Sequence, residues 1–352
     1  VVLSQPARAV RMLDGRLVLR MNDKDIEEAL GPTPPRGGGP GAADAGARHI
    51  AVDLLDAADA DRKLAVLAEV THVFYCAFQP RPTWAEHGAP NLAMLRNSVG
   101  AIARASRHLE HVTLIQGTKI YGSHLGPFRT PARESDPPHM PPNFYIDQQQ
   151  WLSSAAEGQP WGWTALRPHT ICGFALGSPM NLMLCLAVYA AISKELGLPL
   201  RFPGRPGAWT SVYQLTGSGL LAEGMEWAAT MPAARGQAFN LTNGDYFRWC
   251  NVWPRIADAY EMAWAPPQTI RLTELMADKA QLWQRMVAQY GLVPHRYEDL
   301  ASWPFADYVW ACDWDIMSDT GKIRRAGFLT VADSEQMIID MLRDFRARRI
   351  VP

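Results

Sequence analysis

Between His49 and Leu166 the chain alternates short apolar runs with segments of helical period, and this alternation restricts the fold more than any other feature. His49–Leu54, Thr71–Phe78, His111–Gln116 and Trp161–Leu166 read as buried strands; Thr71–Phe78 is the richest in β-favouring residues. Ala57–Leu67 and Asn91–Leu109 read as helices, the second with Leu92, Leu95, Val99 and Ile102 on one face. Strands that alternate with helices build parallel βαβ units and a doubly wound sheet. Ligands of such sheets bind beyond the carboxyl ends of the strands. Asp53, Phe78, Gly117-Thr118-Lys119 and Pro168-His169-Thr170 all fall at expected strand ends.

Beyond Met180 the pattern turns helical, over Met180–Gly197, Gly219–Met231, Trp249–Tyr260, Leu272–Tyr290 and Ser334–Arg348. The longest apolar stretch, Met180–Ile192, is too short to span a bilayer and reads as a buried amphipathic helix. Before His49 the chain differs. Arg16–Arg20 fits a short strand, Lys24–Leu30 a short helix, and Gly31–Gly41 is a Pro/Gly-rich loop. The organisation expected is therefore an atypical segment with a linker over 1–48, a sheet region for cofactor and catalysis over 49–178, and a mostly helical substrate-binding region over 179–352.

A net charge of -1 gives no reason to expect nucleic acid or an anionic membrane as partner. The five cysteines are spread without a CxxC or CxxH unit, so no metal site or disulfide framework is expected. They fit reduced thiols in a cytoplasm. Val1–Val10 lacks the pattern of a signal peptide. The 13 tryptophans suit an apolar pocket or an interface, and a homodimer is among the expectations.

The chemistry concentrates in two segments, Gln116-Gly117-Thr118-Lys119-Ile120-Tyr121 and Pro142-Asn143-Phe144-Tyr145. A phenol held near an ammonium can donate a hydrogen bond or a proton to a carbonyl oxygen, which points to reduction of a carbonyl or an enone. Short-chain dehydrogenases ordinarily place a lysine four residues after the tyrosine, where its charge lowers the phenol pKa. Here Tyr145 is followed at that distance by Gln149, and Tyr121 by Leu125.

From His49 to the terminus the chain resembles the progesterone 5β-reductase/iridoid synthase-like (PRISE) group of atypical extended short-chain dehydrogenases. The resemblance rests on ordered motifs: Gln116–Tyr121, Gly126-Pro127-Phe128, Asn143-Phe144-Tyr145, Arg167–Gly173, Met180-Asn181, Asn243–Trp249 and Ile350-Val351-Pro352. It implies a Rossmann-like fold and NAD(P)H-dependent reduction of the C=C bond of an activated enone or enal, with NADPH ahead of NADH. The substrate implied is a small apolar conjugated carbonyl compound. Tyr145 would be the oxyanion donor and Lys119 its supporting cation. Asp53, Leu54, Ala77, Phe78, Gln116, Gly117, Tyr145, Pro168, Thr170 and Ile171 would contact the cofactor. Phe144, Met180 and Trp209 would contact the substrate. Taken alone, Asp53 fits a helix cap as well as a cofactor contact, Trp209 fits simple packing, and Arg167 fits a structural anchor. Plain carbonyl reduction, or a non-catalytic remnant or dinucleotide sensor, are the alternatives.

The front of the chain departs from that family. Residues 1–49 carry neither a GxxGxxG loop between strand and helix nor an arginine-bearing second strand. The first β-α unit is expected to be missing or altered, through loss, altered reading or a truncated source, with weakened cofactor binding as the consequence. Gln116, Ile120 and Gln149-Gln150 stand where the family has Thr, His and an acidic pair.

Overall fold

The computed structural model describes residues 2–4, 11–13, 16–20 and 50–352. The expected helix Lys24–Leu30, the Pro/Gly-rich stretch Gly31–Gly41 and His49 lie outside the described residues.

The chain divides into two compact units. The first comprises Val1–Tyr121, Glu134–Arg167 and Gly224–Phe239. Its strands are β1 (Val2–Ser4), β2 (Arg11–Leu13), β3 (Arg16–Arg20), β4 (His72–Cys76), β5 (His111–Ile115), β6 (Gly162–Arg167) and, further along the chain, Gln237–Asn240. They form a seven-stranded sheet in which Gln237–Asn240 is followed by β6, β5, β4, β1, β3 and β2. Pairing is parallel from β6 to β3, with His72 opposite His111 and His111 opposite Gly162; β2 runs antiparallel to β3. This is the doubly wound, Rossmann-type order, with β1 inside the sheet between β4 and β3, where the strand order reverses.

The first β-α unit, expected to be missing or altered, keeps its strand β1, where Val2 pairs with both Val18 and Phe74, and β2 lies in the connection from β1 to β3. One expectation is corrected: the described part of His49–Leu54 is no strand but an irregular run entering a turn. Aspartates take the amides that a ladder would use. Asp53 N donates to Asp59 Oδ2 at 2.8 Å, Leu55 N to Asp53 Oδ1 at 2.9 Å, and Ala58 N to Asp56 Oδ1 at 2.9 Å. Asp56 thereby caps α1 (Ala57–Leu64).

Helix α2 (Trp84–Ala105) begins earlier than its apolar period implies, because Thr83 and Glu86 close a capping box. It buries Met94, Leu95, Val99 and Ile102, while Leu92 is only half-buried. Helix α3 (Phe144–Ala156) buries Phe144, Gln148 and Leu152, a four-residue stripe. Gly162 is required by close approach: a Cβ there would meet Arg235 Nε at 2.5 Å.

The second unit comprises Gly122–Arg133, Pro168–Glu223 and Asn240–Pro352. Its central helix α4 (Leu182–Glu195) is buried continuously from Leu182 to Ser193, so it is enclosed all round rather than amphipathic. Phe202, Trp249, Trp253 and Trp310 pack edge-on or tilted with centroids 5.1–6.1 Å apart. The expected helix Leu272–Tyr290 is split into Leu272–Leu275 and Ala280–Tyr290. Tertiary partners take its backbone groups. Asp307 accepts from Leu272 N and Thr273 N, and Tyr297 Oη donates to Met276 O at 2.8 Å. Among the described residues no helix is long and apolar enough to cross a membrane. The five thiols are free.

Candidate active site

Strand β5 ends on a 3-10 turn, Thr118–Tyr121, immediately after Gln116 N continues the parallel pairing to Leu166 O at 2.8 Å. Ile120 and Tyr121 anchor the turn by burial and leave Lys119 half-buried between buried neighbours. The Lys119 Nζ lies 5.4 Å from the centroid of the Trp84 ring, within cation–π range.

Tyr145 stands in the first turn of α3. The N-cap Asn143 is 3% exposed and joins the two segments: its Oδ1 accepts from Tyr145 N at 3.1 Å and its Nδ2 donates to Lys119 O at 3.0 Å. The Tyr145 residue as a whole keeps some exposure, yet its phenol is enclosed by protein, and that desolvation pushes its pKa well up. The phenol therefore stays protonated through the neutral and alkaline range. The residue four positions on is Gln149, so no lysine stands there to depress it.

An aromatic row lines the same region. Phe144 lies 4.3 Å from Tyr145, 5.3 Å from Phe78 and 6.1 Å from Trp84 by ring centroids. His87 joins it, 5.4 Å from Phe78 and 5.1 Å from Trp84. Its Nδ1 is buried with no hydrogen-bond partner among the described residues. Burial first, and the nearby Lys119 charge second, hold the imidazole below its usual pKa, so it is neutral.

The first unit thus gathers Phe78, Gln116, Gly117, Lys119, Phe144 and Tyr145. Leu54 and Ala77 are buried in it, and Asp53 is exposed with Oδ1 accepting from Leu55 N. The remaining expected site residues belong to the second unit. There Thr170 adopts φ 37°, a strained value for a β-branched residue, with its hydroxyl 2.8 Å from Tyr213 Oη. Pro168 is buried, while Ile171 and Met180 are exposed. Trp209 is half-buried and packs 5.3 Å from Phe202 and 6.3 Å from Trp264. Arg167 is the anchor of its strand end, bound to Gln116, Tyr121 and Gln149.

Sequence reasoning missed Trp84, His87 and the linking role of Asn143. The Thr83-x-x-Glu86 capping signature could have found the first two, since it places Trp84 and His87 three apart on one helix turn.

A parallel sheet of this order, with a lysine after β5 and a tyrosine at the head of α3, defines an enzyme of the short-chain dehydrogenase/reductase type. The chain belongs to the family described as the PRISE-like Rossmann-fold domain, which matches residues 49–352. It is 33% identical over 324 residues to the (S)-8-oxocitronellyl enol synthase of Camptotheca acuminata, covering 88% of this chain and 82% of that protein. It is 34% identical over 319 residues to the 3-oxo-Delta(4,5)-steroid 5-beta-reductase of Arabidopsis thaliana, covering 86% of this chain and 80% of that one. Among solved structures, RMD from Pseudomonas aeruginosa complexed with NADPH matches with a TM-score of 0.59 at 14% identity, over 84% of this chain and 86% of that one. That last likeness is one of fold.

Proposed function

We propose that the chain is an NAD(P)H-dependent reductase of the C=C bond of activated enones or enals. The observation that carries this reading is the place of Tyr145 in the first turn of α3, tied through Asn143 to the turn that bears Lys119. The relatives' names agree with it. One is an enol synthase, and the substrate named for the other, a 3-oxo steroid with a 4,5 double bond, is itself an enone.

The residues described suit a nicotinamide dinucleotide: a sheet parallel from β6 to β3 with β1 between β4 and β3, and an exposed Asp53 carboxylate. Asp53 and Leu54 would hold the adenosine part. Ala77, Phe78, Gln116, Gly117 and Tyr145 would line its path. A bound reduced nicotinamide would supply a hydride for the β-carbon of the substrate; the C=C pair would then become the new bond between the α-carbon and the carbonyl carbon, and the C=O π pair would move onto oxygen. Tyr145 donates its O–H to that oxygen as it becomes an enolate. The Lys119 ammonium adds favourable charge. A proton taken up at the α-carbon gives the saturated carbonyl compound; one taken up at oxygen gives the enol. Phe144 and Phe78 present apolar faces to a conjugated substrate. NADPH is the cofactor we favour.

The test is a titration with NADPH and with NADH, followed by nicotinamide fluorescence and thermal shift, then incubation with a conjugated enal and identification of the product. A saturated carbonyl product supports the reading. An allylic alcohol would make the chain a carbonyl reductase, and a folded protein that binds neither nucleotide would make it a remnant.

A further inference from the structure

Arg167, at the carboxyl end of β6, is 4% exposed, and the hydrogen-bond partners of its guanidinium are neutral. Nε donates to Gln116 Oε1 at 3.1 Å, Nη1 to Tyr121 Oη at 2.7 Å and Nη2 to Gln149 Oε1 at 3.1 Å. Its charge also lies 5.2 Å from the centroid of the Tyr121 ring. Gln116, itself 4% exposed, passes the contact on: its Nε2 donates to the Tyr145 main-chain oxygen at 2.8 Å.

Two physical arguments follow. A primary amide has one accepting and one donating end, and a guanidinium only donates. Arg167 therefore dictates which end of Gln116 faces it, and the donating end is left aimed at Tyr145. Second, a buried cation is better served by a carboxylate than by an amide, since leaving it without a counter-charge is costly. Stability alone would favour glutamate at position 116. Glutamate cannot donate to the Tyr145 carbonyl; only the amide satisfies both partners.

We propose that Gln116 is a positioning residue for Tyr145: Arg167 orients the Gln116 amide, and that amide fixes the first turn of α3 and so the placement of the phenol. The proposal rests on the donor role given to Tyr145 above. Displacement of a reacting group by about 1 Å can cost on the order of 100-fold in rate, so a single misdirected hydrogen bond is enough to matter.

The decisive variant is Gln116→Glu in the full chain. It gives Arg167 a carboxylate and sets a repulsive oxygen against the Tyr145 carbonyl. Expected are a melting temperature held or raised and kcat for a conjugated enal, read at saturating NADPH, lowered about 10- to 100-fold. The Gln116→Glu/Tyr145→Phe double variant should be no slower than Tyr145→Phe alone, because the two act through one hydroxyl. Gln116→Met, which lacks the donor without adding charge, should lose rate similarly and decides the matter if the glutamate variant does not fold. Wild-type kcat in a folded Gln116 variant, beside a slow Tyr145→Phe, overturns the positioning role alone. A Tyr145→Phe enzyme at full rate removes the donor reading itself.

Discussion

The Asn143 side chain donates to the Lys119 carbonyl at 3.0 Å, so the cap of one helix also holds the turn that carries the ammonium. The same amide accepts from the Tyr145 N–H at 3.1 Å. Asn143→Ala loses both contacts at a buried site and should cost about 1–2 kcal/mol of stability, read by thermal or urea unfolding. Asn143→Asp keeps the accepting oxygen but opposes the Lys119 carbonyl with a second one. It should preserve the cap and still lower turnover. Equal turnover in the aspartate variant would show that the Lys119 turn needs no such tie.

Tyr145→Phe should lower kcat by about 100- to 1000-fold, the usual effect of removing one oxyanion donor. Binding of NADPH should be almost unaffected. Burial raises the phenol pKa above 10, so the protonated donor persists as pH rises. The kcat profile should therefore show no gain in activity with deprotonation between neutral pH and 10. A rate that climbs with pH through that range would mean that the phenolate is the working form.

The sequence read the sheet interior well and its margins badly, for physical reasons. β4, β5 and β6 are buried strands, and their continuous apolar runs mark them directly. His49–Leu54 looks similar, but Asp59 takes the Asp53 amide, and Asp53 and Asp56 take the Leu55 and Ala58 amides just beyond, which favours a turn at its end. The sheet strand Gln237–Asn240 is too short to leave a period. Lys119 and Tyr145 were singled out because their motifs are local. Trp84 and His87 were not, because their nearness to Phe144 is made by α2 packing beside α3, and no spacing records it.

Tyr213 should hold the strained Thr170. The two hydroxyls lie 2.8 Å apart, and Thr170 has φ 37°, in which a β-branched residue persists only when its surroundings enforce it. Tyr213→Phe removes that hold from a site 5% exposed and should cost about 1 kcal/mol. Thr170→Gly accepts the dihedral freely, so its melting temperature should depend less on residue 213. A double-variant cycle on melting temperature measures the coupling; strict additivity would refute it.

His111 should govern the acid limb of stability. It is 2% exposed on β5, and burial first, then the charges of His72 and Arg235, lower its pKa from 6.5 to about 3. Thr164 Oγ1 donates its one proton to Ala234 O at 2.6 Å, so its contact with His111 Nε2 at 3.1 Å requires a proton on that nitrogen. The neutral ring is therefore held as the Nε2–H tautomer. The unfolded chain takes up a proton near pH 6.5, whereas the folded chain resists until about pH 3. Between those values the unfolded state binds more protons, and stability falls as pH falls, by about 1.4 kcal/mol per pH unit. Urea unfolding at pH 7.5 and pH 5 should show this loss. His111→Gln, which does not titrate, should be less stable at pH 7.5 but show a shallower decline. An equal decline in both proteins would assign the acid sensitivity to other groups.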